Sequence, residues 1–146
     1  MRFGILKQDL DEKIVFDFDE AMSFDGFTGP YLLYTNARIN SVLKKAKKFK
    51  IKSETDLLKT NTEHQLIILL SQYPEIVFDI SNKFNLSILA KYLFELAKRF
   101  SEFYGQESIL KADDDLRAQR LGLITAVQQV LQNGLRLMSI EVVDEM

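Results

Sequence analysis

Apolar residues recur every three or four positions through most of this chain, and polar breaks divide the pattern into segments of helical length. Leu32, Thr35, Ile39, Val42, Ala46 and Phe49 form one such stripe. It predicts an amphipathic helix of about 20 residues, with Thr28 as N-cap and Pro30 in the first turn, where its missing N–H costs nothing. A polar connection over 50–61 follows. Thr62 then opens a second predicted helix through Gln72, with Leu66, Leu69, Leu70 and Tyr73 on its buried side. Pro74 restarts the chain as a short third helix, with Val77, Ile80 and Phe84 inward. The fourth runs from Leu86 to Tyr104 on Leu89, Leu93, Leu96, Phe100 and Phe103, and Gly105 suits the left-handed position after its end. Asp113, Asp114 and Asp115 put negative charge where the fifth begins. Its inward positions are Leu116, Leu123, Val127, Val130 and Leu131, and it ends at Asn133-Gly134.

The first 27 residues differ in character. Ile14 to Asp19 are β-branched, aromatic or acidic with partial alternation, which predicts a short extended segment, and Glu20 to Phe24 suit one helical turn. The expected architecture is all-α. It is an up-and-down bundle of about five helices over residues 28–146, preceded by a short extended strip at 1–27 with no core of its own. No internal repeat of 20–50 residues is evident.

Composition narrows the function classes. A chain of 146 residues, 47% hydrophobic and 27% charged, is one globular domain in size and is too apolar to be disordered. The absence of cysteine excludes disulfides, Cys–zinc sites, iron–sulfur clusters and a thiolate nucleophile. No apolar run approaches the roughly 18–20 residues of a membrane span, and the N-terminal residues do not read as a signal peptide. The expectation is a soluble cytoplasmic protein with no membrane partner.

Charge changes the picture further. The net charge of −2 hides a segregation. Residues 1–25 hold seven acids and three bases, whereas residues 26–53 hold seven bases and no acid. Within the basic stretch, Tyr31, Tyr34, Arg38, Ser41, Lys45 and Lys48 are spaced by three or four, so all six share one helix face. Two readings of that face stand side by side. It is a solvated lysine face bordered by tyrosines, or it is a nucleic-acid surface in which rings stack on unpaired bases while Arg and Lys meet phosphate. Lys47, Lys50 and Lys52 extend the positive field and tilt the balance toward a polyanion.

Catalytic signals are sparse. The single histidine, His64, sits near a helix start and reads as a solvated or capping residue. No Gly-rich phosphate loop, G-x-S-x-G elbow or H-E-x-x-H motif occurs. Asp17 and Asp19 alternate and could face one cation, although hard metals need more oxygen ligands than two. The Asp113–Asp115 run lacks the glycine and distal glutamate of a calcium loop and reads as a cap.

Several segments also resemble one family. Phe16-Asp17-Phe18-Asp19, Ser23-Phe24-Asp25-Gly26, and Thr28-Gly29-Pro30-Tyr31 with Tyr34, Arg38 and Ser41 resemble the junction between the catalytic and anticodon-binding domains of class I arginyl-tRNA synthetases. Tyr92-Leu93, Leu96-Ala97, Phe100 and Phe103-Tyr104 are similar to the middle of that family's anticodon-binding helices. Asp115-Leu116-Arg117 with Arg120-Leu121 resembles the motif that names the helical domain, and the closing Glu145-Met146 resembles the family's carboxyl terminus.

The resemblance implies a helical bundle that grips the anticodon arm of an arginine tRNA, with residues 1–27 as the last strip of a catalytic domain. It implies loop contacts from Tyr31, Tyr34, Arg38, Tyr104 and Met146. Ser108 stands where some members carry a further aromatic. The family's ATP-site motifs are missing, so the chain is expected to be a carboxyl-terminal fragment. Such a fragment would be inactive alone and hold no cofactor, the parent using ATP with magnesium. The expected partners are the tRNA and the parent's catalytic domain. The alternatives are a protein-interaction module derived from such a domain, or the similar bundle of a cysteinyl-tRNA synthetase.

Overall fold

The computed structural model describes residues 2–9, 17–46 and 48–142. The described residues contain six helices and no strand. Two short helices, α1 (Arg2–Leu6) and α2 (Phe18–Met22), precede four long ones: α3 (Gly29–Lys45), α4 (Asn61–Lys83), α5 (Leu86–Gln106) and α6 (Asp114–Leu137). α5 and α6 pack on each other, and both α3 and α4 pack on that pair. None of the described helices is long and apolar enough to cross a membrane.

The core follows the hydrophobic pattern closely in α3 and α5. Thr28 caps α3, its Oγ1 accepting from the Tyr31 amide at 3.3 Å. Leu32, Thr35, Ile39 and Val42 are all buried. In α5, Leu89, Leu93, Leu96, Phe100 and Phe103 are each 0% exposed. Full burial of one such side chain is worth about 1.5–3 kcal/mol, which makes α5 the element around which the others assemble.

Elsewhere the structure corrects the expectation. Pro74 does not divide two helices but lies inside α4. An interior proline removes one hydrogen bond and costs about 3 kcal/mol. Leu66, Leu69, Leu70, Tyr73, Ile76 and Ile80 pack into or against the core on both sides of it, and the Tyr92 hydroxyl donates to the Leu69 carbonyl at 2.8 Å in the adjoining turn. Tertiary packing therefore carries the helix through. α4 also starts earlier than Thr62. Thr60 is its N-cap, and Glu63 completes a capping box by accepting from the Thr60 amide at 2.9 Å. Phe84, expected inward, is 83% exposed, because the chain turns there with φ 51° to begin α5.

Gly105 and Gly134 do not end helices. α5 continues to Gln106, and α6 passes through Gly134 to Leu137. A Cβ on Gly134 would lie 2.6 Å from a Leu93 methyl, so this glycine lets α5 and α6 approach closely. The Asp run does mark the start of α6, with Asp113 at the N-cap position but making no side-chain capping bond.

The connection between α3 and α4 is a strap across α6. The Lys52 amide donates to the Ala118 carbonyl at 3.0 Å, and the Leu57 amide donates to Gln119 Oε1 at 2.9 Å. A Cβ on Gly122 would stand 1.8 Å from the Lys52 carbonyl oxygen, so only glycine admits the strap here.

The N-terminal strip is joined to the bundle rather than merely preceding it. Phe3 is buried, meets Phe27 edge-on at 5.4 Å, and Phe27 meets Phe94 of α5 at 5.0 Å. Asp9 pairs with Lys91 at 2.7 Å and accepts from Asn85 and Ser87. These bonds, Lys91 first, hold its carboxyl down to about 2 from an ordinary 3.8. Phe18 and Asp19, expected to be extended, lie in the single turn of α2, closed by the Ala21 amide on the Asp17 carbonyl at 3.1 Å. An isolated alternating segment has no ladder partner, whereas a helical turn satisfies its own backbone. Ile14, Val15 and Phe16 of that expected segment lie outside the described residues.

Candidate nucleic-acid interface

The six-residue face on α3 separates into different environments. Tyr31 turns into the groove between α3 and α5, where its ring meets Phe94 at 5.6 Å and its hydroxyl lies 3.1 Å from Ser101 Oγ. Tyr34, one turn on, is 38% exposed. Arg38 is half-buried, and Ser41 and Lys45 are exposed. α3 ends at Lys45, so Lys48 belongs to the turn beyond it, with its ammonium 5.2 Å from the Phe49 ring centre.

Folding brings Tyr104, 66 positions further along the sequence than Arg38, onto the same surface. The Arg38 guanidinium lies 4.6 Å from the centre of the Tyr34 ring and 5.4 Å from that of Tyr104, and it donates to the Tyr34 hydroxyl. Tyr104 is itself 40% exposed and rests on buried Phe100 at 5.9 Å. Phe24, absent from the sequence-based set, braces Tyr34 edge-on at 6.3 Å. The result is a fixed cation between two accessible rings. Such a group can stack on unpaired bases and present hydrogen-bond donors to their edges or to phosphate.

A buried ion cluster fixes the end of α5 just beyond Tyr104. Arg120 on α6 donates to Glu63 Oε1 at 2.7 Å, to Glu107 Oε2 at 2.6 Å and to the Ser108 carbonyl at 3.1 Å. Glu63 is fully buried. Burial alone would push its carboxyl up, but the Thr60 amide and Arg120 together hold it below its ordinary value. Ser108, where an aromatic was in question, is exposed and contributes its carbonyl to this cluster. The Thr60-x-x-Glu63 spacing is the signature of a capping box, a signal that a helix start placed at Thr62 passes over, but nothing local marks Arg120 as the partner of Glu63.

The other candidates fall away from this surface. His64 is exposed and sets Nε2 2.9 Å from the Leu58 carbonyl at the start of α4. Asp114 and Asp115 pair with Arg117 and Lys52 respectively. Among the described residues no group of three or more His, Asp or Glu is placed to hold a metal ion. Met146 lies outside the described residues.

Comparison with known proteins adds the following. Residues 32–146 match the family model described as the DALR anticodon binding domain. The chain is 39% identical to an arginine–tRNA ligase of Clostridium beijerinckii over 99% of its own length, and 37% identical to that of Pyrococcus furiosus over all of it. It spans only 26% and 24% of those two proteins. The structure superposes on the Thermus thermophilus arginyl-tRNA synthetase with a TM-score of 0.89 at 33% identity, covering 99% of this chain and 26% of that one.

Proposed function

The chain belongs to the DALR anticodon binding domain family, and on that premise we propose that it is the part of an arginyl-tRNA synthetase that binds the anticodon arm of an arginine tRNA. The observation that carries this is the Tyr34–Arg38–Tyr104 cluster, which joins two helices into one accessible stacking surface at the edge of an acid-free basic stretch. Loop bases stack on Tyr34 and Tyr104 and on the exposed part of Tyr31. Arg38, Ser41, Lys45 and Lys48 face sugars and phosphates, and Met146 completes the loop contact.

Residues 1–27 serve as the strip that continues into the catalytic domain, and 28–146 as the anticodon-binding domain. In support, Phe18, Met22 and Phe24 are all more than half exposed, an apolar surface suited to a neighbouring domain. Activation of arginine with ATP and magnesium falls to that domain, because the family's ATP-site motifs do not occur in this sequence. The setting is cytoplasmic.

Fluorescence anisotropy with a labelled anticodon stem-loop tests the reading. Stacking is worth about 1–3 kcal/mol per base, so Tyr34→Ala weakens binding about tenfold or more at fixed salt. Lys48→Ala acts chiefly through the salt dependence. Binding that ignores both loop sequence and salt would refute the proposal.

A further inference from the structure

A second basic feature lies beyond the end of α3, where the strap meets the first turn of α6. Lys48, Lys50, Lys52 and Arg117 line a cavity of about 370 Å³ there, together with Asp114 and Asp115. The acids do not cancel it. Among the lining residues Asp115 pairs with Lys52 at 2.9 Å and Asp114 pairs with Arg117, which leaves the charges of Lys48 and Lys50 in excess. Glu54 and Asp56 act on Lys52 from outside the lining. The framework is built rather than incidental. Lys52 is held by its backbone bond to Ala118 and by the close approach to Gly122. Arg117 is fixed by the Ala112 carbonyl at 3.0 Å and by the Phe49 ring at 3.9 Å, while its Nε is buried with no hydrogen-bond partner.

The chemistry differs from that of the tyrosine cluster. Phe49 already carries the Arg117 guanidinium and, at 5.2 Å, the Lys48 ammonium, so its ring is not offered to a base. The site suits phosphate without a nucleobase. It also lies further along the basic stretch than Lys45, itself about 10 Å from Arg38 at the helical rise. We infer that this cavity is a phosphate site for the paired stem of the RNA, separate from the loop contact and independent of sequence. The inference rests on the anticodon-arm reading.

The test compares two labelled RNAs, the anticodon stem-loop and a single-stranded heptanucleotide carrying only the loop sequence. Lys50→Ala removes one exposed charge and lowers the salt slope for the stem-loop by about 0.9, the value for one phosphate contact. Its defect relative to the unaltered chain therefore shrinks about threefold between 50 and 200 mM salt, on the order that slope requires. Heptanucleotide binding stays unchanged. Asp115→Asn frees Lys52 and tightens stem-loop binding about threefold at low salt, a gain that misfolding cannot mimic. Equal effects on both RNAs, or none on either, overturn the inference while the loop reading stands. If neither RNA binds in a saturable way, the loop reading fails and this one with it.

Discussion

Arg120→Leu isolates the ion cluster that ends α5. The substitution keeps an apolar stem but removes three hydrogen bonds, to Glu63 at 2.7 Å, Glu107 at 2.6 Å and the Ser108 carbonyl at 3.1 Å. Glu107 retains some access to water, whereas Glu63 is 0% exposed and is left as a buried carboxylate with only the α4 cap to satisfy it. Breaking one side of a buried pair costs about 3–5 kcal/mol, a large part of the about 5–15 kcal/mol that holds a domain together. For a chain near this size each kcal/mol lowers Tm by about 2–4 °C, so the expected fall is on the order of 10 °C. Thermal melts followed by circular dichroism measure the fall in Tm, and urea melts measure the loss in free energy.

Acid dependence supplies the sharper check. In the unaltered chain the Glu63 carboxyl is held below its ordinary 4.5, so its contribution is present above that value and is lost as the pH falls. Without Arg120 that depression shrinks, because the Thr60 cap alone then opposes burial, and the variant loses less stability than the unaltered chain as the pH is lowered. Adding Glu63→Gln retains an acceptor for the Thr60 amide while removing the charge, and recovers about 1 kcal/mol or more of the loss. A cost for Arg120→Leu below about 1 kcal/mol, or a double variant no more stable than the single, refutes the buried-charge account.

Phe84→Gly is expected to stabilise the fold by about 1 kcal/mol in a denaturant melt, because a left-handed φ penalises any residue with a Cβ and this side chain is 83% exposed. Asp9 titrates with a midpoint of about 2 by carboxyl ¹³C NMR, so its tie to α5 is complete above its ordinary 3.8 and is lost as the pH falls through 2. Lys91→Ala, which removes the largest cause of that depression, moves the midpoint back toward 3.8.

The sequence by itself determined the helical class, the cap at Thr28, the inward stripes of α3 and α5, and the segregated charge of residues 1–53. Those features are local: a period of 3.6 fixes which residues share a face, and an N-cap acts within four residues. Tertiary structure decided what that period leaves open. Tyr31 and Tyr34 share one predicted face, yet α5 covers part of the first through Phe94 and leaves the second exposed beside Arg38. Pro74 reads as a break, but packing along both halves of α4 outweighs one lost hydrogen bond. Gly134 reads as a stop, but contact with Leu93 makes it a packing position. The meeting of Arg38 with Tyr104, and of Arg120 with Glu63, joins residues more than fifty positions apart. Such pairs arise only when helix faces are pressed together, because no local periodicity encodes which faces will meet.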